Sequence, residues 1–191
     1  VRPRAGRWRV VTEGLALGTL RLTFQRYALP ATRTLAAAPR SAGALPVGAA
    51  GSTGGQSFVL PLAENEGFWI GGYVEGAGNF FLALGWTSGS VTRDVGSGKP
   101  WSDAPPPFIA LPPDRVFPGV TLPGGGYRAF AREAAAGDRT ALRIVARAGS
   151  DEAQSEAVLA VADYPDFVAL TGLRRPAPLD LKARYRGQRL P

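Results

Sequence analysis

Phe68-Trp69-Ile70-Gly71-Gly72-Tyr73-Val74, then Gly76-Ala77-Gly78-Asn79, then Phe80-Phe81-Leu82-Ala83-Leu84-Gly85-Trp86 is the stretch on which the fold turns. Two runs rich in aromatic and aliphatic residues, parted by a turn of Gly and Asn, predict a β-hairpin. The second run carries no polar side chain from Phe80 to Trp86, which predicts a strand covered on both faces near the middle of a sheet.

Outward from this centre the same pattern repeats in short pieces. Downstream, Val91-Thr92-Arg93, Phe108-Ile109-Ala110-Leu111, Tyr127 to Arg132 and Leu142 to Arg147 read as strands, the last of them central. Upstream, Phe58 to Leu62 and Arg7 to Val11 do so too. In Thr19 to Tyr27, apolar Leu20, Leu22 and Phe24 alternate with Arg21, Thr23 and Gln25, so that strand has one wet face. Asp151 to Ala162 opens with acids and is rich in Ala, which predicts a helix, although Ala157 to Ala162 also suits a strand. Many short strands between Pro and Gly turns predict a mainly β chain, a sandwich-like fold or distorted barrel with one short helix and extended basic termini.

Three segments follow from the composition shifts. Residues 1–56 read as a basic N-terminal arm holding two strands and a Pro-, Gly- and Ala-rich linker, 57–173 as the β-rich body, and 174–191 as a basic C-terminal arm. Eight Arg against Glu13 in residues 1–40, and six basic groups against Asp180 in 174–191, flank a middle with thirteen acidic and eight basic residues. Such ends predict docking on an acidic protein surface or a neighbouring subunit, as in a homo-oligomer. Nucleic acid would attract them for the same reason. The bland reading is that the ends solvate the chain's own acidic body.

With 191 residues the chain can bury one core and is short for two. It has no Cys and no His, which removes thiolate nucleophiles, imidazole bases and nearly all transition-metal sites. No cofactor or metal is expected. No run of 18 apolar residues occurs, so no membrane span is expected, and cytoplasm, particle and cell surface all stay open. Gly51 to Gly55 and Gly124 to Gly126 lack the Gly-Lys-Ser/Thr ending of a phosphate loop.

The remaining acid/base groups are carboxylates: Glu64, Glu66 and Glu75 near the predicted hairpin, and Asp94, Asp103 and Asp114 in or beside loops. Flat rings could instead line a groove for a sugar. Trp69, Trp86, Trp101, Tyr73 and Phe117 could line such a groove; Trp69 and Trp86, inside strands, read as core, and Trp101, in a Pro-rich loop beside Asp103, reads as the best single exposed recognition residue. The candidate binding set is therefore Trp101, Asp103, Phe117, Arg174, Arg175, Arg184 and Arg186. The leading expectation is a non-enzymatic assembly or protein-interaction module. A carbohydrate-binding module and a carboxylate-dependent hydrolase are the alternatives.

Glu66-Gly67-Phe68-Trp69, Lys99-Pro100-Trp101 and Arg128-Ala129-Phe130 stand in an order that resembles an uncharacterised group of microbial proteins with an acidic-x-x-Trp block followed by Pro-Trp and Arg-x-Phe blocks. The resemblance spans roughly residues 20–132, and the group's Trp-Leu-Asp-Gly step stands here as Phe117-Pro118-Gly119. It implies no activity and assigns no residue a role.

Overall fold

The computed structural model describes residues 6–50, 56–102, 107–132, 139–149 and 153–179. In chain order the elements are β1 (Arg9–Val11), β2 (Gly14–Leu17), β3 (Leu20–Ala28), β4 (Thr34–Leu35), β5 (Gly48–Ala49), β6 (Ser57–Pro61), β7 (Glu66–Val74) and β8 (Phe80–Ser88). They continue with β9 (Val91–Asp94), β10 (Ile109–Leu111), β11 (Arg115–Phe117), β12 (Gly119–Thr121), β13 (Tyr127–Ala131), β14 (Thr140–Ala148), β15 (Ser155–Ala162) and one helix, α1 (Tyr164–Thr171). Two sheets form a sandwich. Sheet 1 runs β1-β2-β3-β7-β13-β12, with β11 on β7 and β4 on β13; sheet 2 runs β10-β8-β14-β15-β6-β5, with β9 on β8.

The predicted hairpin is not one. β7 pairs with β3, β11 and β13, whereas β8 pairs with β14, β10 and β9. The two strands face each other across the layer, with Phe68 and Trp86 rings 5.8 Å apart, edge to face. Residues 75–79 therefore arch from one sheet to the other. Glu75 donates its N–H to Thr19 in the β2–β3 turn, and Asn79 accepts from Gly149 at the end of β14. The inward positions of β8 are Phe80, Leu82, Leu84 and Trp86, and those of β7 include Phe68 and Ile70; two such faces bury more area by opposing one another than by lying side by side.

Inside lie Leu20, Leu22 and Phe24 of β3, Phe68 and Ile70 of β7, Leu82, Leu84 and Trp86 of β8, Phe130 of β13 and Leu142 and Ile144 of β14. The expected central positions of the Phe80–Trp86 and Leu142–Arg147 strands hold, since β8 and β14 each have neighbours on both sides. Trp86 is core as expected, but Trp69 points the other way. It is half-buried on the outer face of sheet 1, where its Nε1 donates to the Pro39 carbonyl at 2.9 Å.

Of the helix expected over 151–162, residues 151 and 152 lie outside the described residues, and Ser155–Ala162 is a strand. β15 alternates buried Ser155, Ala157 and Leu159 with exposed Glu156, Val158 and Ala160, and it pairs antiparallel with β14 and parallel with β6. Small and branched side chains that are indifferent between helix and strand settle where two neighbours supply ladder bonds on both edges. The helix comes later, at the end of the segment read as the β-rich body. Asp163 caps it, accepting from the Asp166 N–H at 2.8 Å, and Gly172 ends it in the left-handed region.

Residues read as arm and linker are built into the sandwich. β3 pairs with β7 over nine positions. Trp8 is buried and joined to Gln56 by two hydrogen bonds of 3.0 and 3.1 Å. Residues 42–45 bond the backbone of Phe24 and Arg26, and Leu45 and Val47 enter the core. Phe130→Ala is expected to lower unfolding free energy by about 3–5 kcal/mol. Trp69→Ala should cost clearly less in the same urea titration; equal losses would mean that the outer face of sheet 1 is as tightly packed as the core.

Candidate recognition surfaces

The sequence-derived set does not converge. Phe117 is buried, opposite Ile70 in the β11–β7 register, with its ring beside Gly72. Trp101 is half-exposed on the far side of sheet 2, over Gly85, whose neighbours Leu84 and Trp86 face the core. A Cβ at Gly85 would lie 2.8 Å from the Trp101 ring, so the indole rests on bare backbone. Arg174 and Arg175 are exposed just beyond α1. Asp103, Arg184 and Arg186 lie outside the described residues.

Around Trp101 the outer face of sheet 2 has a definite chemistry. Arg143, opposite Gly85, holds its guanidinium 5.5 Å from the Trp101 ring centre and its Nε 2.6 Å from Glu156. Four residues along, Arg147 stacks at 4.4 Å on Phe81 and 5.0 Å on Phe108. Phe81, Trp101 and Phe108 are each half-exposed, so one sheet face carries three rings threaded by two cations.

Between the edge strands β9 and β12 the sandwich opens into a cleft of about 360 Å³. Its floor is Trp86 and Val120, and its walls include Leu122 and Pro123. Arg93 lies opposite Trp86 and Arg128 opposite Val120, and residues directly opposite share a face. Both arginines thus belong to the inward faces of their sheets, yet both are exposed: β9 is an edge strand, and Arg128 stands near the start of β13, before its buried run Ala129 to Ala131. Thr121 closes one side by donating its N–H and its hydroxyl to the Val95 carbonyl, at 3.0 and 3.1 Å. Gly98 makes this approach feasible: its φ of +69° is left-handed, and a Cβ there would sit 2.1 Å from the Thr121 carbonyl oxygen. Two shallower clefts adjoin this one through Thr121 and Leu122, and Tyr127 lines both of them. Among the described residues, no Asp or Glu lines any of the three.

The carboxylates flagged in the sequence serve the fold or stand apart. Glu66 is buried, and Tyr164 donates its hydroxyl to it, with Oη 2.8 Å from each carboxylate oxygen. The Ala63 N–H reaches Glu66 Oε2 at 3.1 Å, and Arg26 stands 3.6 Å from Oε1 while also donating to the Ala177 carbonyl at 2.8 Å. This cluster fastens α1 and the segment after it to sheet 1. Asp94 is buried and accepts from the Ser97 N–H at 2.7 Å, shaping the loop after β9. Glu75 pairs with Arg21, while Glu64 and Asp114 are exposed. Among the described residues no group of three or more acidic side chains could hold a metal ion, and no helix is long and apolar enough to cross a membrane. No family model, curated protein or solved structure matches this chain.

Burial, and then the bond to Glu66 and its charge, push the Tyr164 phenol up to about 12. Burial also raises Tyr27. A phenol whose folded value exceeds its unfolded value of 10.0 favours the fold while protonated. That contribution is complete below pH 10 and fades as pH climbs toward 12. Tyr164→Phe is therefore expected to make the fall in stability above pH 10 shallower in denaturant titrations run at successive pH values; an unchanged slope would leave the alkaline loss to Tyr27. Glu66→Ala, which leaves the buried Tyr164 hydroxyl and the Ala63 N–H without their acceptor, should cost about 1–3 kcal/mol.

Proposed function

We propose that this chain is a non-enzymatic interaction module that uses its arginines to dock on an acidic protein surface, including that of a second copy. The observation that supports this most is the unequal use of charge. Glu66, Glu75, Glu156 and Asp163 are each paired with an arginine of the same chain. Arg7, Arg9, Arg40, Arg115, Arg139, Arg174 and Arg175 are exposed and enter no such pair among the described residues. Exposed guanidinium groups attract acidic surfaces over a Debye length and bind carboxylates as a fork. Among the described residues that line the clefts there is no Asp or Glu, which favours binding over acid/base hydrolysis. Light scattering across a salt series tests the reading. The expected result is an assembled mass that falls as salt rises, and that is already lower at low salt in Arg174→Glu/Arg175→Glu. A monomer at every salt concentration, with or without an acidic partner protein, overturns it; a mass that rises with added DNA or RNA alone transfers the arginines to nucleic acid.

Carbohydrate binding is the second reading, favoured by the three half-exposed rings Phe81, Trp101 and Phe108 on one face of sheet 2. Trp101→Ala is expected to abolish retardation in polysaccharide affinity gels with a small change in Tm, because the indole covers Gly85 without entering the core. Retardation that persists in the variant, or is absent from the wild type, removes this reading.

A further inference from the structure

We propose that the outer side of α1 is a homodimer interface, on which α1 of a second copy packs antiparallel across a two-fold axis. This rests on the reading above and narrows it to one face and one partner. The helix lies on the outer face of sheet 2, where Gly48 of β5 leaves no room for a Cβ beneath Thr171. Gly48 stands opposite Val59 of β6, which is buried although it is no part of the core between the sheets. Tyr164 and Phe167 supply the buried stripe of α1, and helical periodicity sets Ala169 on the opposite side from Phe167. That opposite side is apolar as well. Pro165, Val168, Ala169 and Leu170 are all exposed, and Asp166 is the one charged residue of the helix. A surface helix ordinarily turns polar residues outward, and one that is apolar all round is a covered helix. Among the described residues seven large apolar side chains are exposed. Four of them, Val158, Val168, Leu170 and Leu173, belong to α1, the turn after it and β15, the strand beside β6; Val10, Val91 and Val116 stand singly on three other strands. Apolar side chains grouped in this way mark a contact surface, whereas single ones do not.

Charge decides what covers it. Asp166 is in the first turn of α1, and Arg174 and Arg175 follow its end; all three are exposed and form no ion pair among the described residues. Arg26 donates to the Ala177 carbonyl, which ties the segment carrying the two arginines to the sandwich. A helix with an acidic start and a basic end is complementary to its own copy when the two run antiparallel, the relation that a two-fold axis across the helix provides. Laying Asp166 against Arg174 of the second copy puts the axis at Leu170, so Ala169 and Leu170 meet their own counterparts. An anionic lipid surface would gain from the arginines but be repelled by Asp166 and by Asp163 beside it.

Sedimentation and light scattering of the full chain over a concentration series test this. The wild type is expected to dimerise, and Leu170→Asp, at a position 55% exposed, should weaken the dimer at least about tenfold at unchanged Tm. Asp166→Lys alone and Arg174→Glu/Arg175→Glu alone should each weaken it too. An equimolar mixture of those two variants should associate as well as the wild type, because in the mixed dimer each end meets an opposite charge. The chain has no cysteine, so Ala169→Cys adds a single thiol, which is expected to form an intermolecular disulfide on oxidation. Should Leu170→Asp lower Tm, the mixing experiment decides, since it leaves the apolar side intact. Variants that fail to restore one another, or a dimer indifferent to Leu170→Asp, overturn the proposal; a mass that still falls with salt then keeps docking through the arginines. A chain monomeric at every salt concentration, with or without an acidic partner protein, ends both. A wild-type monomer that binds phosphatidylglycerol vesicles instead, or that dimerises only once residues 180–191 are removed, also overturns the proposal and gives the face to lipid or to the chain's own end.

Discussion

Phe68, Trp86 and Phe130 meet in the layer between the sheets, and their rings set where the two halves of the chain must lie. Phe68 stacks on Phe130 at 5.2 Å within sheet 1, and both reach Trp86 of sheet 2. Aromatic rings of this size bury large apolar areas and tolerate few arrangements. Once β7 and β8 are committed to opposite layers, the arch between them has to cross, β3 and β13 have to flank β7, and β14 has to flank β8. The margins then inherit what the centre leaves over. At β9 and β12 the layers are bridged by Thr121 and Val95, and the gap beside that bridge is the arginine-flanked cleft.

Much of this was legible in residue pattern. The alternation in Leu20 to Phe24, the unbroken apolar run from Phe80 to Trp86 and the strand at Leu142 to Arg147 each marked a strand that the structure contains. Which strand pairs with which was not legible, because period-2 patterning defines a face without naming a neighbour. The Gly-rich stretch at 76–79 suits an arch as well as a hairpin, and the aromatic residues before and after it are alike in both. Asp151 to Ala162 misled for a related reason. Ala and Glu favour helix only where no sheet offers its edges, and β14 and β6 offer both. Residues 30–56 read as linker from their Pro and Gly, while Leu45 and Val47, both buried, were too few and too isolated to announce a core segment.

The site was less legible than the fold. Trp101, named from its loop, is half-exposed over sheet 2, while Phe117, named beside it as a groove aromatic, is core. Arg93 and Arg128 sat in ordinary strand patterns, and what distinguishes them is the register that turns both inward at opposite margins. Cross-strand register between residues 93 and 86, or 128 and 120, has no local signature.

The parallel pair in sheet 2 bears on how the chain reaches this state. Ser57 aligns with Val158, so β6 waits for a strand about a hundred residues later, and β15 must slot between β6 and β14. Trp8 likewise finds Ser155 near the start of that same strand. Loop-closure entropy is spent well before these long-range pairings return any stabilisation, which places the chain among slow folders of high contact order. Until β15 arrives, β6 and β14 each present an unpaired edge, so the interval before its insertion is when the nascent sheets are most open to pairing with another chain.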